Sequence, residues 1–134
     1  MGILLFHSFN SPEERRTFGG SAFMEIQFCD MPLQAPLKRI VSLNHIRHWR
    51  NDSLYVHAGD MESFYQEYSR IFDSGVFGNL KTGTIDLFGL NYYSPALIES
   101  VIEKLDREEP RDYKELMAWL VKSRAHNGVY ILGI

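Results

Sequence analysis

The stretch SPALIESVIEKLDREEPRDYKELMAWLVKSRAHNGVYILGI, residues 94–134, sets the architecture of the chain. Ser94 offers a side-chain oxygen to free backbone N–H groups, and Pro95 brings a φ already suited to a first helical turn. Leu97, Ile98, Val101, Ile102 and Leu105 then recur at three- and four-residue spacing, one buried stripe on one helix. Pro110 breaks the pattern, and Tyr113, Leu116, Met117, Leu120 and Val121 resume it, which predicts a second helix over 111–124. Gly128 stands where a left-handed residue closes a helix, and Val129-Tyr130-Ile131-Leu132 is short and apolar enough to be an interior strand. The two helices are expected to pack as a hairpin on a sheet.

Toward the N-terminus, Asp60 is placed to cap a helix over 60–73 whose apolar face is Met61, Phe64, Tyr65, Tyr68, Ile71 and Phe72. Ser74-Gly75 and Gly78-Asn79 end it in a turn-rich loop. Between the helical stretches, Thr82 to Gly89 reads as a strand with Thr84, Asp86 and Phe88 on one side, and Asn91-Tyr92-Tyr93 as an aromatic turn. Residues 25–29, 37–43 and 53–57 read as further strands. Residues 1–23 hold no period, being broken by Ser11-Pro12, by mixed charges at 13–16 and by Gly19-Gly20-Ser21, and are read as poorly ordered. The whole predicts a single α+β domain over 1–134, a mainly antiparallel sheet with about three helices.

At 134 residues, 45% of them hydrophobic, the chain is long enough to bury a core without staples. Its single cysteine, Cys29, allows no internal disulfide and no cysteine-rich zinc site. It lies in an apolar run with no basic neighbour to lower its pKa, the setting of a small buried hydrophobe. No stretch of sequence approaches the length of a membrane span, and the short apolar start lacks the basic flank of a signal peptide, so cytoplasm is the expected location. Net charge is −3, with 6 Lys+Arg against 4 Asp+Glu in residues 1–50 and 8 against 13 in residues 51–134. Lys38-Arg39 and Arg47-His48-Trp49-Arg50 are too short to make a nucleic-acid surface, so no direct nucleic-acid partner is expected.

Reactive constellations fail on spacing. Gly75 to Thr82 has Leu80 where a phosphate loop needs glycine before the lysine, and it follows a helix rather than a strand. His45 and His48, with His57 nearby, lack the carboxylate or HExxH pattern of a zinc site. Glu99 and Glu103 share a helix with Lys104 and Arg107, the composition of a solvated face. Asp86 is read as accepting a hydrogen bond from a neighbouring turn. No catalytic residue, metal or cofactor is expected, and the chain is read as working by binding.

Asp86-Leu-Phe-Gly-Leu-Asn-Tyr-Tyr-Ser-Pro95 and the tail Asn127-Gly-Val-Tyr-Ile-Leu-Gly-Ile134 resemble segments of small bacterial immunity proteins, which neutralise toxins delivered between competing cells. The resemblance covers about the last third of the chain and implies a compact α+β domain that binds and blocks one cognate protein toxin, often a nuclease. The acidic excess after residue 50 suits a basic partner, and the expected contacts are Glu62, Glu67 and Asp73 on the polar side of the first helix, with Tyr92 and Tyr93 as aromatic anchors. A second reading stays open: a small enzyme or ligand-binding domain with a pocket lined by Tyr92, Tyr93, His57 and Asp86.

Overall fold

Gly128 has φ +88°, and a Cβ there would stand 2.2 Å from the carbonyl oxygen of Tyr93. That close approach brings the last strand into the middle of the sheet. The computed structural model describes residues 4–19 and 22–134; residues 1–3, 20 and 21, part of the stretch read as poorly ordered, lie outside the described residues. In chain order the elements are α1 (Pro12–Gly19), β1 (Phe23–Phe28), α2 (Leu37–Ile40), β2 (Leu54–His57), α3 (Met61–Tyr68), β3 (Gly75–Phe77), β4 (Thr82–Gly83), β5 (Leu90–Tyr93), α4 (Pro95–Glu108), α5 (Tyr113–Lys122) and β6 (Val129–Leu132). Short 3₁₀ turns occupy Leu43–His45, Ala58–Asp60 and Ser123–Ala125.

Among the described residues the strands form one six-stranded sheet in the order β2-β1-β6-β5-β3-β4, every pair antiparallel. Alternation along the strands gives the sheet two covered faces. Met24, Ile26, Phe28, Leu54, Val56, Val129, Ile131 and Tyr93 meet α3, α4 and α5 through Phe64, Tyr68, Ile98, Val101, Leu105, Leu116 and Leu120, the main core. On the other face Cys29, Tyr92, Tyr130 and Leu132 pack under Ile40 and Val41, and Phe23 and Tyr55 pack with Phe9 and Trp49. The edges are blunted: β4 has two residues, and His7 exchanges backbone hydrogen bonds with Tyr55 outside β2.

The α+β class, the antiparallel sheet and both C-terminal helices agree with the sequence reading. Ser94 Oγ accepts from the Leu97 N–H at 3.3 Å, as its position predicts. Glu109, in the left-handed region at φ 47°, closes α4 just before Pro110.

Other elements differ for identifiable reasons. There are five α-helices among the described residues rather than three, because Pro12–Gly19 and Leu37–Ile40 also coil. Residues 37–43 are therefore not a strand: Leu37, Ile40 and Val41 have helical spacing behind Pro36, and Ile40 and Val41 are buried by it. The helix over 60–73 is regular only through Tyr68, and Asp60 makes no side-chain cap; His57 Nδ1 instead accepts from the Gly59 N–H at 3.1 Å. Gly75–Phe77, inside the expected loop, is a strand.

The predicted strand Thr82–Gly89 stops at Gly83, and the predicted turn at Asn91–Tyr93 is part of interior strand β5. Asn91 causes this exchange. Its fully buried side chain accepts from the Asp86 N–H at 2.8 Å and donates to the Asp86 and Ile131 carbonyls at 2.8 and 3.1 Å. It thereby holds residues 86–89 as a loop beside β6.

Gly128→Ala is expected to cost more than about 2 kcal/mol, combining left-handed backbone strain with a backbone clash; the denaturant midpoint measures it. The N-terminal segment generates a second expectation. His7 Nε2 is buried without a partner, and burial lowers the imidazole's pKa below its ordinary 6.5. Asp60 and Glu115 oppose that shift, and His57 reinforces it. The unfolded chain therefore takes up this proton first, so His7's contribution is complete above the ordinary pKa and is lost as pH falls below it. The drop in thermal midpoint between pH 7.5 and 5.5 should be smaller in His7→Phe.

Candidate functional site

The five residues expected to meet a partner do not form one surface. Tyr92 and Tyr93 point to opposite faces of β5 and are 2% and 1% exposed. The Tyr92 hydroxyl donates to the Asn127 carbonyl at 2.7 Å, and burial raises the pKa of both phenols far above their ordinary value. These rings are interior packing, a correction to their expected role as surface anchors.

Of the carboxylates, Glu62 is exposed on α3, whereas Glu67 and Asp73 are engaged within the fold. Glu67 accepts from the Arg111 N–H at 2.9 Å, Arg70 pairs with Glu108, and Lys104 Nζ donates to Asp73 at 3.0 Å. A bond from Ser74 and then the Lys104 pair hold the Asp73 carboxyl below its ordinary pKa. The result is a three-rung ladder from the end of α3 to the end of α4 and the turn after it. Glu99, the other helical carboxylate singled out, takes both guanidinium bonds of Arg124 at 2.9 Å.

The pocket of Tyr92, Tyr93, His57 and Asp86 is likewise not assembled. His57 ends edge strand β2, separated from β5 by β1 and β6, and Tyr93 faces away from Tyr92. Asp86 does what its turn reading expects, accepting from the Phe88 N–H at 2.9 Å.

What the fold does assemble lies on the second face of the sheet and at the end of β1. Glu25, 2% exposed, points out of β1 beneath residues 48–53. Its carboxylate accepts from the N–H groups of Trp49 at 2.8 Å and Arg50 at 3.0 Å, and from Ser53 Oγ at 2.7 Å. Trp49, at φ 64°, turns the chain so that consecutive amides converge on this anion. The Tyr55 hydroxyl closes the arrangement by donating to the Arg50 carbonyl at 2.6 Å, and the Arg15 guanidinium lies 3.8 Å over the Trp49 ring.

Arg50, positioned by that turn, reaches Asp30 at 2.6 Å and Asp52 at 3.2 Å. His126 Nδ1 stands 3.1 Å from the other Asp30 oxygen while its ring stacks on Phe28 at 4.4 Å; Phe28 also stacks on Trp119 at 4.1 Å. Two open clefts flank Asp30 and Met31. One, about 290 Å³, is lined by Pro32, Leu33, Arg124 and His126; the other, about 220 Å³, by Gln27, His45, Arg47, Arg50 and Tyr130.

Asp30 is already matched by Arg50 and His126. Cys29 is fully buried, its thiol 3.5 Å from the Tyr130 hydroxyl, and burial pushes its pKa up, away from the thiolate a nucleophile needs. His45 Nε2 lies 3.1 Å from both the Arg39 and Ile40 carbonyls, so it supports the segment over Tyr130. Among the described residues no group of three His, Cys, Asp or Glu side chains is arranged to hold a metal, and no helix is long and apolar enough to cross a membrane.

Sequence reasoning passed over Asp30, His126, Leu33 and Leu43. The available signal was that residues 31–50 contain Lys38, Arg39, Arg47 and Arg50 with no acidic residue. Compared with known proteins, the chain matches no protein family, no curated sequence and no solved structure.

The anchoring role of Glu25 predicts an ordered stability series. Glu25→Ala leaves three buried or half-buried donors without an acceptor and should cost about 3 kcal/mol or more, whereas Ser53→Ala should cost about 1 kcal/mol. Glu25→Gln, keeping one acceptor oxygen, should fall between them in urea denaturation.

Proposed function

We propose that this protein is a toxin-neutralising immunity protein, which binds a cognate bacterial toxin and blocks it without itself catalysing a reaction. The class comes from the resemblance of residues 86–95 and 127–134 to such proteins. The observation that carries the binding reading is the exposure of large apolar side chains on the cover of the second sheet face. Leu33 is 76% exposed, Leu43 64% and Leu37 41%, within one short segment that also presents Lys38, Arg39 and Arg47. Leucines left in water, with Leu33 beside an open cleft, are suited to anchoring another protein's surface. The titrating groups fit the same reading, since the thiol and the interior phenols are held protonated by burial.

The test uses the genes beside the one encoding this chain. Expression of the cognate toxin should arrest growth of a host cell, co-expression of this protein should restore it, and the purified pair should form a stable complex. Failure to bind or protect against any neighbouring gene product would remove the proposal.

A further inference from the structure

We propose that the cover of the second sheet face, residues 31–50, is the docking surface and that it fits an acidic protein surface. Leu33, Leu37 and Leu43 serve as apolar anchors, and Lys38, Arg39 and Arg47 meet carboxylates. The proposal rests on the protein-binding reading above and names the chemistry of the partner.

Three observations carry it. First, the two sides of the sheet differ in charge. Residues 31–50 have four cations and no acid, while residues 51–134, which supply the helical layer, carry 8 Lys+Arg against 13 Asp+Glu. Arg50 is matched by Asp30 and Asp52, but Lys38, Arg39 and Arg47 have no ion-pair partner among the described residues. On the opposite layer, Glu67 and Asp73 already bond within the fold. An approaching acidic surface is therefore steered to the cover and away from the helices.

Second, the cover is preformed. Asn127 Nδ2 donates to the Pro32 carbonyl at 2.9 Å, Gln27 Nε2 to the Arg47 carbonyl at 3.0 Å, and the Tyr130 hydroxyl to the Ile40 carbonyl. These bonds fix the backbone from both ends and from the middle, while Ile40 and Val41 are buried beneath it. Little ordering entropy remains to be lost when a partner binds.

Third, the relief is concave. The clefts on either side of Asp30 and Met31 are bordered by Leu33 in one and by His45, Arg47 and Arg50 in the other, the Asp30 carboxylate being taken up by Arg50 and His126. Projecting acidic and apolar side chains fill such clefts, whereas a bilayer is flat. Nucleic acid is disfavoured because the exposed apolar groups are leucines, which offer no stacking platform for bases.

The test places a photo-crosslinking amino acid at Leu33 or Leu43 and, separately, at Glu62 or Glu103, in the full chain expressed in its native cells. Crosslinks to an acidic protein from the first pair and not from the second are expected. With that partner purified, Leu43→Asp and the double variant Lys38→Glu, Arg39→Glu should each weaken binding about tenfold or more, and Glu62→Lys should leave it unchanged. Association by wild type should slow as salt rises. All four substituted positions are exposed, and unchanged circular dichroism confirms their folding.

Crosslinks confined to Glu62 or Glu103, or an affinity insensitive to the cover variants, would overturn the proposal while leaving the immunity reading standing. No crosslink from any position would overturn both. A partner held by the cover that is not toxic would remove the immunity reading alone. Binding to vesicles of phosphatidylserine and phosphatidylcholine in equal parts, lost in Leu43→Asp, would replace the acidic protein with a membrane.

Discussion

The two halves of the sheet are joined only through β6 among the described strands. β1 and β2 lie on one side of it and β5, β3 and β4 on the other, so each residue from Val129 to Leu132 is paired across both neighbours. Residues from the far end of the chain thus complete the hydrogen bonding of strands made much earlier. Val129 and Ile131 enter the helix-side core and Tyr130 and Leu132 the opposite one, which couples the two layers through four consecutive residues. The strand reaches this place because Gly128 passes where a side chain would meet the Tyr93 carbonyl, and Gly133 similarly passes against the Leu87 carbonyl, with 2.3 Å to a Cβ. Backbone contact at both ends leaves the strand little freedom in register.

Around that joint the faces are built by different means. The helical side is closed by apolar stripes, with the Glu67, Arg70 and Asp73 ladder as a solvent-side tie that water screens. The other side has too little helix for that. Its cover is mostly loop, held by buried polar groups of the strands: Glu25 on the Trp49 and Arg50 amides, Gln27 on Arg47, and Tyr130 on Ile40. A loop laid over a sheet brings unpaired backbone groups with it, and these side chains satisfy them. The same economy leaves leucines outside, because a one-turn helix buries Ile40 and Val41 and has no second stripe to cover Leu37.

This division bears on the proposed function. The helical layer is acidic and internally tied, and the loop cover is basic, apolar at its exposed points and held in one shape. A protein partner meeting the cover would find anchors and charges already in place, with the buried Glu25 and Tyr55 setting the geometry from beneath. The proposed interface thus depends on residues that would not touch the partner at all.

Local information made part of this legible from residues alone. The stripe of α4, the Ser94 cap, the left-handed Gly128 and the apolar β6 depend on neighbours within a few positions, and there the reading and the structure agree; in α5 Leu116 and Leu120 are buried as expected, but Trp119 takes the place expected of Val121, which is exposed. The site was less legible. Leu37 to Val41 coils because Tyr130 and Tyr92 lie beneath it, and Tyr92 and Tyr93 extend because β6 and β3 flank them. Glu67 and Asp73 are engaged within the fold because Arg111 and Lys104, distant along the chain, come within hydrogen-bond reach. Composition located the cations of residues 31–50, but only pairing through space showed which of them Asp30 and Asp52 neutralise and which face water. Periodicity and capping are properties of adjacent residues, whereas burial and charge pairing belong to residues that meet only once the sheet has closed.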